Sequence, residues 1–290
     1  MTSTVSSQDI TQQPRQRGKK RPINILAVVL FGVVTLLSLW MIAPFIWQIL
    51  TSLKPLAEVD LSIWPRHWTP GNYLQVFREI SFGRYYMNSI LVAVWVTFLQ
   101  VITSAFAAYS FSRLHWPGRD KVFLLYLATM MIPGAVLMIP NFWLMLHLHM
   151  YNTLSGLIIP SAFSTFGTFL LRQFMMTLPT SLDEAAEIDG ASEWQIFLDI
   201  ILPLARPGLI VLAIFTFMGN YGSFFWPLVL IKDDALRTLP IGMMYFNSSN
   251  GTETNLVMAA SLMSIIPLIV LFVCLQKYLV KGLQLGAVKG

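Results

Sequence analysis

Acidic side chains are concentrated in the segment from Pro179 to Pro207. Six of the 14 Asp and Glu residues lie there: Asp183, Glu184, Glu187, Asp189, Glu193 and Asp199. No Lys or Arg interrupts the segment before Arg206. Carboxylates without neighbouring counter-ions create a negative potential that attracts a basic surface. We therefore expect this segment to offer charge to a basic partner.

The first half of the acidic segment has the local signals of a short helix. Ser181 and Glu184 have the spacing of a capping box, which pairs their side chains with free backbone N–H groups. Asp183 and Glu184 also suit the positive end of the helix dipole. Gly190 is expected to end this helix in a left-handed conformation. The small side chains of Ala185–Ala186 permit close approach by another backbone.

The second half predicts another short helix. Ser192 and Gln195 have capping-box spacing, and Leu202 followed by Pro203 is expected to stop the helix. The segment thus reads as a helix, a glycine turn and a helix. Because capping boxes are common, an ordinary hairpin with a solvated acidic face explains these local signals as well as a binding element does.

The composition places the elements around this segment in a membrane. Hydrophobic residues make up 56% of the 290 residues and charged residues 11%, against about 25% charged residues in ordinary soluble domains. The mean hydropathy is +0.64. A soluble fold of this length would lack the polar side chains needed to cover its surface, so lipid is the expected covering.

Long stretches without any charged residue mark the membrane spans. A spanning helix needs about 20 mostly apolar residues, whereas strands of a membrane barrel alternate in segments of about 10 residues. The continuous apolar runs therefore predict an all-α polytopic membrane protein with six transmembrane helices. They are placed near Ile25–Leu50, Ile90–Ser112, Val122–Ile139, Leu154–Phe174, Gly208–Ile231 and Val257–Val280. The polar stretch between Pro140 and Gly156 is expected to separate the third span from the fourth.

The basic residues predict the orientation. An even number of spans puts both termini on one side, and basic residues are enriched in cytoplasmic segments. With a cytoplasmic N-terminus, the inner segments hold 13 of the 19 Lys and Arg residues. We therefore expect cytoplasmic N- and C-termini, and a cytoplasmic location for the acidic segment.

These spans define the expected organisation of the chain. It consists of a disordered basic cytoplasmic tail at 1–22, a first transmembrane helix at 23–53, an external loop at 54–88, a core of five transmembrane helices at 89–280 with its cytoplasmic loop at 179–207, and a cytoplasmic tail at 281–290. The first span is longer than the apolar core of about 7–15 residues in a signal peptide, so we do not expect it to be cleaved.

The acidic segment resembles the signature loop of ABC importer permeases. That loop runs Glu-Ala-Ala, three residues, Gly, nine residues, Ile, one residue and Leu-Pro. The matching residues here are Glu184, Ala185, Ala186, Gly190, Ile200, Leu202 and Pro203. In that family the loop is the coupling helix, which docks into a cleft on the ATP-binding subunit. The resemblance implies a type I ABC importer permease fold in the bacterial cytoplasmic (inner) membrane.

The resemblance extends from about Thr51 to Gly290 and is greatest to the smaller permease of the maltose-type carbohydrate importers. Arg113-Leu114 and Pro117-Gly118-Arg119 resemble the first internal loop of that group. One departure concerns the fifth span, where Tyr221-Gly222-Ser223 replaces the usual Trp-Asn and polar residue before Trp-Pro-Leu. This departure affects the identity of the exact substrate more than it affects the substrate class.

The resemblance also implies partners. These are a second homologous permease subunit, two ATP-binding subunits, an external solute-binding protein and membrane lipid, with no role for nucleic acid. Gly18-Lys19 lacks the spacing and the Ser or Thr of a phosphate-binding loop. The chain is therefore expected to be no enzyme and to bind no cofactor or metal, while ATP and Mg belong to the partner ATPase subunits.

Polar residues within the spans are candidates for the substrate path. The candidates are Asn220, Tyr221, Ser223 and Trp226, because aromatic rings with a polar edge suit a sugar. Gln100, Ser261 and Ser264 fit interhelical hydrogen bonding instead.

The expected function is ATP-driven uptake of a sugar or oligosaccharide, with a polyol or a glycerol phosphate as the alternative. An ion-coupled secondary transporter would show acids in its spans and inverted repeats, and neither is visible. A membrane scaffold or receptor would leave the acidic loop unexplained. Only the importer predicts a stoichiometric ATPase partner.

Overall fold

The computed structural model describes residues 25–248 and 251–287. In chain order its α-helices are α1 (Ile25–Ser52), α2 (Gly71–Glu79), α3 (Phe82–Ser112), α4 (Arg119–Ala128), α5 (Gly134–His147), α6 (Leu154–Ile158), α7 (Thr165–Met175), α8 (Ser181–Ile188), α9 (Glu193–Gln195), α10 (Leu202–Leu204), α11 (Arg206–Tyr221), α12 (Phe225–Leu230), α13 (Leu239–Gly242) and α14 (Thr254–Ala287). Strands β1 (Asn247–Ser248) and β2 (Gly251–Thr252) pair antiparallel before α14. The basic tail predicted at 1–22 and the last three residues of the predicted 281–290 tail lie outside the described residues.

The described helices confirm the predicted all-α membrane fold. Four are long and apolar enough to cross a membrane, within Val28–Ser52, Phe82–Ser112, Leu154–Met175 and Thr254–Lys277. Two further segments qualify when each bent pair of helices is counted as one span. Each of the six predicted apolar segments overlaps one of these stretches. The fourth is divided between α6 and α7, and the helix of the fifth ends at Tyr221 rather than at the predicted Ile231.

The third span differs from its prediction. The helix pair Arg119–Met131 and Gly134–His147 is bent by 96°, and α5 continues through Pro140 to His147, beyond the predicted end of the span at Ile139. Proline disfavours helical geometry in the residue before it, and Ile132, before Pro133, is extended with φ −81° and ψ 117°. This bend at Pro133 was not predicted. The turn at residues 148–153 between α5 and α6 confirms the predicted separation of the third span from the fourth between Pro140 and Gly156.

The described chain divides into two compact units. The first ends at Ile46 and the second begins at Trp47. In the first unit, α1 is an apolar helix whose Phe31, Leu36 and Trp40 side chains are exposed. This pattern fits a helix whose covering is lipid. The second unit contains the remaining helices and all the buried clusters.

Helix α3 contributes to each of the three buried clusters in the second unit. Near its N-terminus Tyr85 and Ala93 pack with residues of α2, α11 and α14. In the middle Val96 joins residues of α5, α6 and α12. Near its C-terminus Ala105 and Ala108 pack with α7, α8 and the chain that follows. The structure is therefore organised around α3.

The segment between α1 and α3 folds onto the end of α1. The Asn72 Nδ2 donates to the carbonyl oxygens of Ser52 and Lys54 at 2.8 and 2.7 Å. The imidazole of His67 contacts the Glu58 carboxylate. This hydrogen bond is the main cause that holds the pKa of Glu58 below its usual value. The predicted external loop is thus an ordered layer.

Replacing Gly167 with Ala should destabilise the contact between three helices. A Cβ on Gly167 of α7 would lie 2.5 Å from the Ser104 Oγ of α3 and 3.1 Å from a methyl carbon of Leu212 of α11. Overpacking of this kind costs about 1–3 kcal/mol, so the melting temperature of the detergent-purified protein should fall. Gly219→Ala in α11 is the matched control, since a Cβ there has nothing within 4 Å. Equal melting temperatures for the two variants would contradict this close packing.

Candidate functional site

The acidic segment folds as a hairpin of helices, and residues 181–204 are called the acidic hairpin below. The predicted first capping box is wrong. The N-cap is Thr180, which is itself helical and makes no side-chain cap, and Ser181 already lies in the helix. The backbone N–H groups of Asp183 and Glu184 bond instead to the Thr180 carbonyl oxygen, at 3.0 and 3.2 Å. Because the backbone satisfies these donors, no serine cap is needed.

The turn after α8 is formed as predicted at Gly190, whose φ is +82°. The Ala191 N–H bonds to the Ala186 carbonyl oxygen at 2.9 Å, and the Gly190 N–H to that of Glu187 at 3.0 Å. This pair of bonds is the Schellman motif. The glycine therefore satisfies the last carbonyl groups of α8 and reverses the chain.

The second half of the acidic hairpin confirms one prediction and corrects another. The capping box of Ser192 and Gln195 is present in both directions. However, Leu202 is helical, with φ −63° and ψ −43°, so Pro203 does not stop the helix before it. The π-helix Ile196–Ile201 ends there, and Pro203 lies in the first turn of α10, where a missing N–H is tolerated. The chain then bends by 72° into α11.

Arg113 joins the end of α3 to the acidic hairpin. Its guanidinium Nη1 donates to the Asp183 Oδ2 at 2.7 Å, and its Nη2 donates to the carbonyl oxygens of Met175 and Leu178 at 2.7 and 2.9 Å. The Arg113 side chain is 6% exposed and that of Asp183 17%. The acid at 183 is therefore neutralised within the chain, which corrects the expectation that all six acids serve a partner.

Tyr109 makes the second connection, one helical turn before Arg113. Its hydroxyl donates to the Glu193 Oε2 at 2.7 Å. Residues four apart lie on the same face of a helix, so one face of α3 holds both helices of the hairpin. Sequence reasoning assigned no role to these two residues. Their spacing at the end of an apolar span is the signal that could have suggested one.

A polar cavity of about 490 Å³ separates the end of α3 from the acidic hairpin. It is lined by Tyr109, Ser112, Arg113, Leu114, His115, Arg119, Thr180, Asp183, Glu184, Glu187, Glu193 and Ile196. Arg113 Nε and Asp183 Oδ1 are buried without a hydrogen-bond partner in the described structure. The site thus combines charges of both signs around a space large enough for water or a polar side chain.

The residues of the signature loop divide into an outer and an inner group. Glu184, Ala185 and Gly190 are exposed on the hairpin surface. Ala186 is buried, and the half-buried Ile200 and Leu202 pack with it in the same cluster as the C-terminal half of α3. Pro203 is also half-buried. The outer group is available to a partner, while the inner group fixes the hairpin to the helices.

The four candidates for the substrate path have different surroundings. Tyr221 is 4% exposed, its hydroxyl donates to the Ser264 carbonyl oxygen at 2.9 Å, and its ring stacks on Phe217. This burial puts Tyr221 in the helix packing and gives it no surface for a substrate. Asn220 and Ser223 are half-buried.

Trp226 and Gln100 both make contacts between helical segments. The half-buried Trp226 donates its indole N–H to the Gly156 carbonyl oxygen at 3.3 Å. Gln100 Nε2 donates to the Ser161 carbonyl oxygen at 3.2 Å, and its Oε1 accepts from the Thr216 hydroxyl. The prediction of an interhelical role for Gln100 is therefore confirmed. Among the residues described, no three His, Cys, Asp or Glu side chains are placed to hold a metal ion.

The chain matches known transport proteins over most of its length. Residues 100–285, which include α7, the acidic hairpin and α11, match the family described as binding-protein-dependent transport system inner membrane component. The chain belongs to this family. It is thus the membrane-embedded permease subunit of an importer of the ABC class, and the predicted resemblance is confirmed.

Relatives of this permease match it almost from end to end. It is 32% identical over 278 residues to the arabinooligosaccharides transport system permease protein AraQ of Halalkalibacterium halodurans, covering 94% of this chain and all of the relative. It is 33% identical over 289 residues to the trehalose/maltose transport system permease protein MalG of Thermococcus litoralis, covering 95% and 99%. A chain in the crystal structure of a bacterial ABC transporter that imports the acidic polysaccharide alginate superimposes with a TM-score of 0.78 at 24% identity, covering 88% of this chain and 96% of that one. This likeness confirms the permease fold.

Proposed function

We propose that this permease forms half of the path for a neutral sugar or oligosaccharide. The sugars named in its relatives support the substrate class. Recognition of a phosphate usually requires Arg or Lys. The candidate residues Asn220, Ser223 and Trp226 are uncharged, and no Lys or Arg interrupts α3 between Arg84 and Arg113. These observations favour a neutral sugar over a glycerol phosphate.

We also propose the assembly and its orientation. The permease pairs with a second, homologous permease, two ATP-binding subunits that hold ATP and Mg, and an external solute-binding protein. The N- and C-termini and the acidic hairpin face the cytoplasm. The observation that carries this proposal is the hairpin itself, whose acids Glu184 and Glu187 are exposed while Asp183 anchors it internally. ATP-driven closure of the ATPase dimer displaces the hairpin. This displacement shifts the substrate path from one state to the other, because the two states of the permease differ in their affinity for the ATPase partner.

Reconstitution tests the proposed function. The permease is purified with its partner permease, ATP-binding subunits and solute-binding protein, and ATP hydrolysis in proteoliposomes is measured with maltotriose, arabinotriose or glycerol 3-phosphate. We expect one of the neutral oligosaccharides to stimulate hydrolysis. Stimulation by glycerol 3-phosphate alone would overturn the substrate class, and failure of any ATPase to co-purify would overturn the coupling function.

Reversing the charge of Glu184 tests the partner surface of the acidic hairpin. We expect Glu184→Lys to lower the amount of ATP-binding subunit that co-purifies, because a positive charge would repel a basic cleft. Glu79→Lys in α2 is the control, since Glu79 is also exposed but lies on the predicted external side. If both variants retain the full complement of ATPase in detergent, charge pairing at Glu184 is wrong.

A further inference from the structure

The N-terminal end of α3 is bonded to a second loop, residues 234–239, which is called the 234–239 loop below. The Tyr85 hydroxyl lies 2.8 Å from each carboxylate oxygen of Asp234. The Asn88 Nδ2 donates to the carbonyl oxygens of Ala235 and Arg237 at 3.0 and 2.9 Å. The Ser89 Oγ accepts the Leu239 N–H at 2.8 Å. Three side chains within about one turn of α3 therefore hold this loop, as Tyr109 and Arg113 hold the acidic hairpin.

Both sets of bonds belong to one helix without a break. Helix α3 runs for 31 residues with no internal proline, which corresponds to about 46 Å at 1.5 Å per residue. The third span is bent by 96° and the hairpin helix meets α11 at 72°. A displacement of the hairpin would be absorbed at such bends. Along α3 it would reach the other end, because a continuous helix moves as one body.

Packing also fixes the Tyr85 ring against the neighbouring element. Tyr85 is 3% exposed, and a Cβ on Gly242 of α13 would lie 2.1 Å from its ring. The hydroxyl therefore has little freedom to follow the loop independently of the helix. The contact to Asp234 joins two elements that lie 149 residues apart in the sequence.

We propose that α3 is a rigid connection that carries displacement of the acidic hairpin to the 234–239 loop. The proposal rests on the proposed coupling function of the hairpin. It adds that Tyr85 and Asn88 are positioning residues, which make the loop on the far side of α3 respond to ATP. The alternative is that displacement passes only through α7 and α11, the helices joined to the hairpin along the chain.

A labelling experiment on the assembled transporter tests this connection. Cys274, the only cysteine, is replaced by Ser, and Ala235→Cys provides a probe in the 234–239 loop. The rate of maleimide labelling is compared between the nucleotide-free complex and the complex trapped with ATP and vanadate. We expect a several-fold difference between the two states. We expect Tyr85→Phe, which removes only the hydroxyl, to bring this ratio close to one.

Matched variants separate transmission from a general effect on stability. Tyr86→Phe is the control, because the Tyr86 ring packs against Phe82 and Tyr221 while its hydroxyl has no hydrogen bond in the described structure; it should keep the wild-type ratio. Asn88→Ala is a second disruption of the same end and should reduce the ratio as Tyr85→Phe does. Combining Tyr85→Phe with Tyr109→Phe should reduce the ratio no further than the stronger single variant, because the two contacts act in series.

The outcomes distinguish the connection through α3 from the proposed coupling function of the hairpin. If Tyr85→Phe and Asn88→Ala assemble and keep the wild-type ratio, the connection through α3 is overturned. The proposed coupling function would then stand. If the unmodified complex binds no ATP-binding subunit, the coupling function itself fails.

Discussion

Arg113→Ala should destabilise the permease more than any other single change at the end of α3. The substitution leaves the Asp183 carboxylate without its counter-ion and the carbonyl groups of Met175 and Leu178 without their donor. Loss of one partner of a buried ion pair costs about 3–5 kcal/mol. We expect a large fall in the melting temperature of the purified protein and a smaller folded fraction in membranes.

Two comparisons show whether this loss comes from the buried charge. Arg119→Ala is the matched control, because Arg119 also donates to a backbone carbonyl, that of Leu114, at 3.1 Å, but its carboxylate partner Asp120 is exposed, and exposed ion pairs contribute about 0–1 kcal/mol. Adding Asp183→Ala to Arg113→Ala should recover part of the stability, since it removes the unpaired carboxylate. Similar melting temperatures for the Arg113 and Arg119 variants would show that the Arg113 contacts contribute little.

Gly190→Val should abolish ATP-coupled uptake while the protein still inserts in the membrane. At φ +82° a β-branched residue is strained whatever the space around it, and a Cβ there meets no atom within 4 Å. This strain costs about 1–3 kcal/mol and destabilises the turn that fixes α8 against α9. We expect the hairpin to lose the orientation in which Glu184 meets its partner, and uptake in cells to fall at least about tenfold, the effect of losing 1.4 kcal/mol of binding.

Gly190→Asn is the control for this prediction. Asparagine tolerates the left-handed conformation far better than valine, so its variant should retain most of the uptake at equal membrane abundance. Val and Asn variants with the same uptake would show that the left-handed turn is not required for coupling.

The local features of the acidic hairpin were predictable because neighbouring residues determine them. Gly190 and the capping box of Ser192 follow from backbone hydrogen bonding over a few residues. The capping box predicted at Ser181 did not form because Thr180 is already helical. The conformation of Thr180 depends on the turn that precedes it. The bend at Pro133 was not predicted, because Pro133 and Pro140 are both compatible with a bend and only Pro133 produces one in the folded chain.

Contacts over long sequence distances could not be predicted from one sequence. Arg113 and Asp183 are 70 residues apart, and nothing in the composition of the acidic segment identifies which acid is paired internally. Tyr221 was chosen for its chemistry as a sugar-binding side chain. Phe217 lies one turn away in the same helix, but the contact of Tyr221 with Ser264 depends on how α11 meets α14, which the apolar pattern of the spans does not specify.

The length of α3 makes the surrounding lipid part of the mechanism. The charge-free run between Arg84 and Arg113 would extend about 42 Å as a straight helix, whereas the hydrocarbon core of a bilayer measures about 30 Å. A helix longer than the core tilts to fit. Since Tyr85 and Arg113 are bonded near its two ends, each change of tilt moves both attached loops. Acyl chains of different length should therefore shift the balance between the two states of the transporter, even where no lipid touches the substrate.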